Sequence, residues 1–531
     1  MTRAAAAGPL TGIVGMRTGS WGVCALAALM LTGCAVGPNF HSPTAPAVKG
    51  YTPKPLAQKT VATKVAGGEA QTFEPGRDIP PQWWQLFHSK ALNSLIIKAL
   101  KANPDLQAAR ASLTEARENV YAAEGTFLPR IDLDGTAKHQ KISYALYGRP
   151  GTGGTQYTLY NASVNVTYGI DLFGYDRRQL ESYESQADYQ RFQFEAAYLT
   201  LTSNVVTTAV QEASLRAQIA ATQEIIASEK QQLDILRQQY VVGAIARSDV
   251  LAQQTALAQT QATLPPLEKQ LAATRNLLST FVGNLPSQGP GAMFELATLQ
   301  LPAQLPVSLP SKLVEQRPDI RAAEAQLHQA SAKVGVATAA MLPQISLTGG
   351  YGRVGTHTNE VLSPANAIWN FGMGLLQPIF RGGTLLHERR AAVAGYKKAL
   401  AQYRATVLTA FRNVADTLRA LQSDADALAA RADADSSAGN SLALAKEQFK
   451  VGAVSYLELL NAEKSFEQAH IALVQAQATR YADTAALFQA LGGGWWNRND
   501  VSPGIETAAQ KSADSTRHMS AKHHQQRGAN P

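Results

Sequence analysis

The stretch "NPDLQAARASLTEARENVYAAEGTFLPRIDLDG", Asn103 to Gly135, is answered by "RPDIRAAEAQLHQASAKVGVATAAMLPQISLTGG", Arg317 to Gly350. At an offset of 214 the two align without a gap. Pro104 falls on Pro318, Asp105 on Asp319, Pro129 on Pro343 and Gly135 on Gly349. Further along, "QQYVVGAIARSDVL" from Gln238 is answered at an offset of 209 by "EQFKVGAVSYLELL" from Glu447. Tyr240 there meets Phe449, and Gly243 meets Gly452. Self-similarity of this kind means a chain that uses one supersecondary plan twice. Each half reads as helix, two strands, a very long helix, a turn and a helix.

The long helices follow from what is missing. Asp176 to Tyr240 contains no proline or glycine, and Thr384 to Phe449 contains no proline and only isolated Gly395 and Gly439. At 1.5 Å per residue each run can extend roughly 95 Å. Apolar residues recur at spacings of three and four, as at Leu233, Leu236 and Tyr240. Alanine and glutamine fill much of the rest. Charged residues are 17% of the chain, against roughly 25% in an ordinary globular protein. Coiled-coil seams in water carry dense Glu/Lys flanks, which these helices lack. Pro265 and Pro266 are expected to interrupt the helix after the first turn, because proline removes a ladder hydrogen bond. The second half has Val474 and Gln475 there.

The strands follow from alternation. In "LYNASVNVTYGIDLF", Tyr160, Ala162, Val164, Val166, Tyr168 and Ile170 share one face, and Asn161, Ser163, Asn165 and Thr167 the other. "RIDLDG" puts Ile131 and Leu133 opposite Asp132 and Asp134. "QISLTGGYG" groups Ile345, Leu347 and Tyr351, and "IWNFGMGLLQPIF" groups Trp369, Phe371, Met373 and Leu375. Polar, Gly-rich loops join each pair. Such hairpins fit a transmembrane barrel or a soluble sandwich, and a sandwich needs many more strands. Four strands cannot close a barrel, and open edges are not tolerated in lipid. Sharing the barrel resolves this: two copies supply eight strands and three supply twelve.

At the other end of the argument is "LTGCAVGPNF", Leu31 to Phe40, which holds one of the two cysteines. Cys24 lies in the apolar run "WGVCALAALML", and Arg3 and Arg17 precede it, as in a signal peptide. The run is about a dozen residues, short of the roughly 20 that span a bilayer. "LTGC" resembles a bacterial lipobox, in which Cys34 becomes the first residue and carries acyl chains on its sulfur and amine. A plain signal peptide with a chance cysteine is the alternative. The net charge of +8 comes without a tight Lys/Arg block, so nucleic acid is not an expected partner.

No catalytic constellation stands out. "GYGRVG", Gly350 to Gly355, matches a dinucleotide fingerprint but opens into no helix. His387-Glu388 lacks the second histidine of a zinc-protease motif. His518, His523 and His524 sit in a polar tail that reads as disordered. No enzyme, no cofactor and no metal site are expected.

Taken in order, "GCAVGPNF", "WWQLFHSKALNSLIIKALKANPDL", the "PDI"–"LPQISL" pair, "GIDLFG" with "QPIFRGG", "VGAVSYLELLNAEKS" and "LGGGWW" resemble the outer membrane factor family of TolC-like exit ducts. The NodT and OprM lipoprotein subgroup fits best, from about Cys34 to Trp496. "HSKAL" departs from the Asp-Pro usual in the family at that turn, with little functional effect expected. The resemblance implies an α+β membrane protein, internally duplicated. Each subunit would give four transmembrane β-strands to a shared 12-stranded trimeric β-barrel. The long helices would form a periplasmic α-barrel. The expected division is 1–33 signal peptide, 34–82 lipidated extended segment, 83–300 first repeat, 301–496 second repeat and 497–531 polar disordered tail.

The same resemblance implies a function: the outer membrane exit channel of a tripartite efflux system in a Gram-negative bacterium. The homotrimer would receive small molecules (drugs, toxic compounds or metals) from an inner-membrane pump, RND-type, and a periplasmic adaptor protein. Outer membrane lipids would surround the barrel, with Cys34 carrying N-palmitoyl and S-diacylglycerol groups. The tips Gly243, Ala244, Ile245, Gly452, Ala453 and Val454 would face the adaptor. Leu457 falls on the family's hydrophobic constriction, Phe449 on an aromatic position and Lys464 on a basic one. Asn461 falls where relatives of the OprM type carry an acid, so weaker charge selectivity is expected. A periplasmic adaptor lipoprotein is the alternative; it would show one helical hairpin flanked by β domains, not two tips and amphipathic strand pairs.

Overall fold

The computed structural model describes residues 35–148 and 150–500. The expected signal peptide, Cys34 and the tail histidines lie outside the described residues. The first half contains β1 (Thr72–Pro75), α1 (Lys90–Ala102), α2 (Pro104–Glu124), β2 (Arg130–Ser143), β3 (Gly154–Ile170), α3 (Tyr175–Val241) and α4 (Arg247–Phe281). The second contains β4 (Gln304–Val307), α5 (Pro310–Gln316), α6 (Pro318–Ala339), β5 (Gln344–Gly355), β6 (Ala367–Leu376), α7 (Thr384–Lys450) and α8 (Tyr456–Ala490). Helices α3 and α7 are 67 residues each, about 100 Å of helix. Helices α4 and α8 are 35 residues each. The offset of 209 therefore holds at every bound of the long hairpins.

The chain divides into two compact units. One holds residues 35–41, 118–184 and 328–397, and with them the sheet. Its order is β2-β3-β5-β6, antiparallel throughout. Directly paired residues share a face, so the register sorts the side chains. Leu133, Val164, Tyr351 and Trp369 form one row across all four strands. Ile131, Val166, Gly349 and Phe371 form the next. The opposite face carries Asp132, Asn165, Gly350 and Asn370 in one row, and Arg130, Thr167, Thr348 and Gly372 in another. The expected apolar and polar faces are both present over these rows, with Arg353 on the next row of the apolar face.

Among the described residues, nothing covers the apolar face. Leu133 is 81% exposed, Trp369 78% and Phe371 76%. Strands β2 and β6 are the edges, and they run in opposite directions. The strand β2 is longer than "RIDLDG" indicates. Beyond Gly135 it continues as "TAKHQKIS", paired with Gly154 to Asn161. Apolar alternation stops there, so the pattern that marks a half-buried strand is lost while the ladder goes on. "GYGRVG" lies within β5, not in a loop after it.

A short strap follows the expected lipidation site. The Val36 N–H donates to the Phe173 carbonyl at 3.1 Å. The Arg178 guanidinium, 5% exposed, donates to the Val36 carbonyl (3.1 Å) and to Asn39 Oδ1 (2.7 Å). It also pairs with Glu181 at 2.6 Å. The Phe40 ring stacks on His328 at 4.3 Å. Gly37 has φ +96°, and a Cβ there would lie 2.5 Å from the Gly335 backbone. "AVGPNF" is thus bound to the beginning of α3 and to α6. Ala35 sits beside Gly174, four residues past the end of β3.

The other unit holds the remaining helices and the parallel pair β1–β4. Trp83, Trp84 and Phe87 are buried, and Trp83 stacks on Phe488 at 5.1 Å. Where "HSKAL" departs from Asp-Pro, His88 takes φ 51° and the Ser89 hydroxyl accepts the Leu92 N–H as N-cap of α1. The capping function is thus kept by Ser89. The expected interruption at Pro265 and Pro266 does not occur: α4 runs unbroken from Arg247 to Phe281. Proline's fixed φ is helical, and two missing donors in a 35-residue helix leave its other ladder bonds in place. Among the described residues, no helix is long and apolar enough to cross a membrane.

Candidate functional site

The two helical tips are built alike. Helix α3 ends at Val241, and Gly243 takes φ +77°; helix α7 ends at Lys450, and Gly452 takes φ +72°. The Gly243 N–H donates to the Tyr240 carbonyl and the Ala244 N–H to Gln239, both at 2.9 Å. At the second tip, Gly452 donates to Phe449 (3.0 Å) and Ala453 to Gln448 (2.9 Å). This is a Schellman ending, in which a left-handed residue satisfies the last carbonyls. Nothing lies within 4 Å of a Cβ added at either glycine, so conformation rather than space selects glycine. Gly452→Val should cost about 1–2 kcal/mol locally. Faster amide exchange over 448–456, with the sheet unchanged, would show it.

Each tip has a wet side and a dry side. Val241, Val242 and Val451 are about four-fifths exposed, at 82%, 78% and 79%. Gly243, Ala244, Gly452 and Ala453 are exposed with them. Exposed valines clustered at a turn mark a surface that meets something else. Ile245 and Val454, related by the 209 offset, are half-buried instead. Ile245 packs on a core shared by both hairpins, which includes Leu233, Leu236, Val250, Leu257, Tyr456 and Leu459.

Leu457, Asn461 and Lys464 are all exposed. Their spacing of four and three puts them on one face of α8, where they form a continuous stripe. Phe449 does not join that stripe. It is half-buried against the shared core, edge-on to Tyr456 at 5.9 Å.

Several polar residues here were not legible in the sequence. The buried Tyr456 hydroxyl donates to Gln253 Oε1, joining the two hairpins. Gln253 in turn donates to the Glu229 carbonyl at 3.0 Å, and Thr260 donates to Glu229 Oε1 at 3.0 Å. Burial pushes Glu229 up to about 7, against the hydrogen bond from Thr260. Burial also raises Glu463 and Glu467, opposed by Lys446 and Lys464 respectively. A helix this poor in charge gives no pattern by which a buried carboxylate could be told from a solvated one.

Comparison with known proteins decides the family. The outer membrane efflux protein family matches residues 95–284 and 309–493, one block in each repeat and more than half of the chain. The chain belongs to this family. It is 28% identical over 479 residues to the toluene efflux pump outer membrane protein TtgC of Pseudomonas putida, covering 89% of this chain and 95% of that protein. It is 27% identical over 475 residues to the cation efflux system protein CusC of Escherichia coli, covering 88% and 97%. Among solved structures, the outer-membrane channel OprN superposes with a TM-score of 0.76 at 26% identity, over 87% of this chain and all of that one. The protein is therefore an efflux channel of the outer membrane, and not an adaptor.

Proposed function

We propose that three copies assemble into one duct, with a twelve-stranded barrel in the outer membrane and an α-barrel of long helices in the periplasm. The observation that carries this reading is the four-stranded sheet with a bare apolar face and two free edges. In lipid those edges must be paired. Because β2 and β6 run in opposite directions, β6 of one copy can join β2 of the next in the same antiparallel pattern. Such a head-to-tail interface closes into a ring. Two copies would give eight strands, whose interior side chains fill. Three leave a lumen, which export needs. Native mass of the detergent-extracted protein should correspond to three chains. A dimer or monomer that still conducts would refute the shared barrel.

The periplasmic end is the meeting point with a partner adaptor protein and an inner-membrane pump, RND-type. The exposed valines and glycines of the two tips support that role. Cargo is a small molecule, and the relatives' names span toluene and cations. A duct of this kind leaves selection to its pump.

Leu457, Asn461 and Lys464 form the gate stripe, with Phe449 acting from behind as packing. A ring of amides repels anions only weakly, whereas an acidic ring would favour cations. Asn461→Asp should raise the cation-to-anion permeability ratio in planar bilayers by a few-fold. An unchanged ratio would remove Asn461 from the gate.

Cys34 serves as a lipid tether. The strap holds Ala35 next to Gly174, just past the end of β3, so acyl chains on the preceding residue would start close to the strand ends. Each buried CH₂ contributes roughly 0.8 kcal/mol, as a supplement to the barrel. Cys34→Ser should lower the amount of protein assembled in the membrane while leaving conductance per channel unchanged. Loss of conductance in properly inserted protein would contradict this.

A further inference from the structure

A cavity of about 230 Å³ lies between the two hairpins, bounded by α3, α7 and α8. Ile225, Leu442 and Phe466 give it an apolar side, and Ser228, Lys446 and His470 are among its polar lining. Two carboxylates also line it, Glu229 from the first hairpin and Glu463 from the second. Glu229 is 4% exposed and Glu463 9%. Both oxygens of Glu463, and Oε2 of Glu229, are buried without a hydrogen-bond partner. Orphaned buried carboxylate oxygens cost stability unless something pairs them.

No neighbouring charge hydrogen-bonds these oxygens, although Lys446 pulls on Glu463 through space. Lys446 on α7 reaches the cavity, but its ammonium donates to the Ser228 hydroxyl at 3.3 Å. His470 on α8 is engaged by Asp435 at 2.9 Å. Glu224 on α3 adds a further negative charge at the wall. Beside the cavity, Glu467 on α8 is opposed by Lys464, and α4 contributes the neutral Thr260 hydroxyl, bonded to the other oxygen of Glu229.

From this arrangement we infer that the cavity is a binding site for a small lipophilic amine, whose ammonium lies between Glu229 and Glu463. An ammonium has three donors, enough to serve a carboxylate from each hairpin. The hydrocarbon part would lie against Ile225, Leu442 and Phe466. An inorganic divalent ion needs a closed shell of ligands, and among the described residues no group of three His, Cys, Asp or Glu side chains is placed to hold one. Because the site draws on both hairpins, its occupant bridges them.

Calorimetric titration of full-length, detergent-solubilised protein with phenethylamine tests the site, with phenethyl alcohol as the uncharged counterpart. The amine should bind saturably and the alcohol should not. Affinity should be higher at pH 8 than at pH 5.5. The ammonium is charged at both, while Glu229, pushed up to about 7 by burial, is largely protonated at the lower pH and ionised at the higher. Glu463→Gln should weaken the amine at least about tenfold. Ile225→Trp, which fills the cavity and keeps both carboxylates, should do the same. It gives the answer independently should the first variant fold poorly by circular dichroism. Equal binding of amine and alcohol, or amine binding unchanged in a folded Ile225→Trp protein, would overturn the assignment.

Discussion

Phe371→Arg is expected to abolish recovery of the protein from the outer membrane, while Asn370→Arg is tolerated. The two residues are neighbours on β6 and face opposite ways. Phe371 belongs to the row Ile131, Val166, Gly349, Phe371 on the bare apolar face. Asn370 belongs to the row Asp132, Asn165, Gly350, Asn370. An arginine on the lipid face at mid-membrane costs about 2–4 kcal/mol, and a homo-oligomer incurs that cost once per subunit. Phe371 sits at the middle of the ten-residue strand, where the cost is greatest. On the polar face the guanidinium passes over Gly350 toward Asn165, and meets water in a lumen. Membrane fractionation of the two variants, with heat-modifiable migration as the assembly readout, separates the faces. Equal recovery of both would mean that the apolar face is covered by something other than lipid.

Arg498→Ala should destabilise the helical unit by about 3–5 kcal/mol. Arg498 pairs with Glu195 at 2.8 Å, with side chains 5% and 0% exposed. Its guanidinium also lies 3.7 Å over the Tyr198 ring, and it bonds Asp500 at 2.9 Å. Removing it leaves Glu195 buried with only the weaker pull of Arg191. Burial already holds Glu195 above the ordinary carboxylate range, and Arg498 is the main influence opposing it. Without Arg498 its pKa rises further. A carboxylate whose folded pKa is raised favours the folded state at low pH, and that contribution is lost as pH rises through the folded pKa. The defect should therefore be milder near pH 5 than near pH 8, and Arg498→Ala with Glu195→Gln should recover much of it. Thermal unfolding of the three proteins at both pH values measures this. A defect independent of pH would place the loss in the stacking on Tyr198.

Some of this was legible in residues alone, for physical reasons. The long helices α3 and α7 follow from runs without proline and with glycine only at Gly395 and Gly439, and their ends from Gly243 and Gly452, which the turns require. The sheet faces follow from period two, and the register confirms them row by row. Other features needed coordinates. The strap from Ala35 to Phe40 has no periodicity, and its hold depends on Gly37 meeting Gly335 nearly 300 residues away. Phe449 aligns with Tyr240 and falls on the family's aromatic gate position, yet its ring lies half-buried against Tyr456 across the turn. The proline pair looked like a break because a sequence shows the missing donors and not the surrounding ladder. Glu229 and Glu463 carry no signal in the sequence, because burial depends on which hairpin face meets which.

The central claim is that copies of one four-stranded sheet make a conducting pore. Reconstitution of the purified, detergent-extracted protein into planar bilayers tests it most directly. The account predicts discrete conductance steps from a heat-modifiable trimer, lost when heating separates the subunits. A folded protein that remains monomeric in detergent and gives no conductance would contradict it.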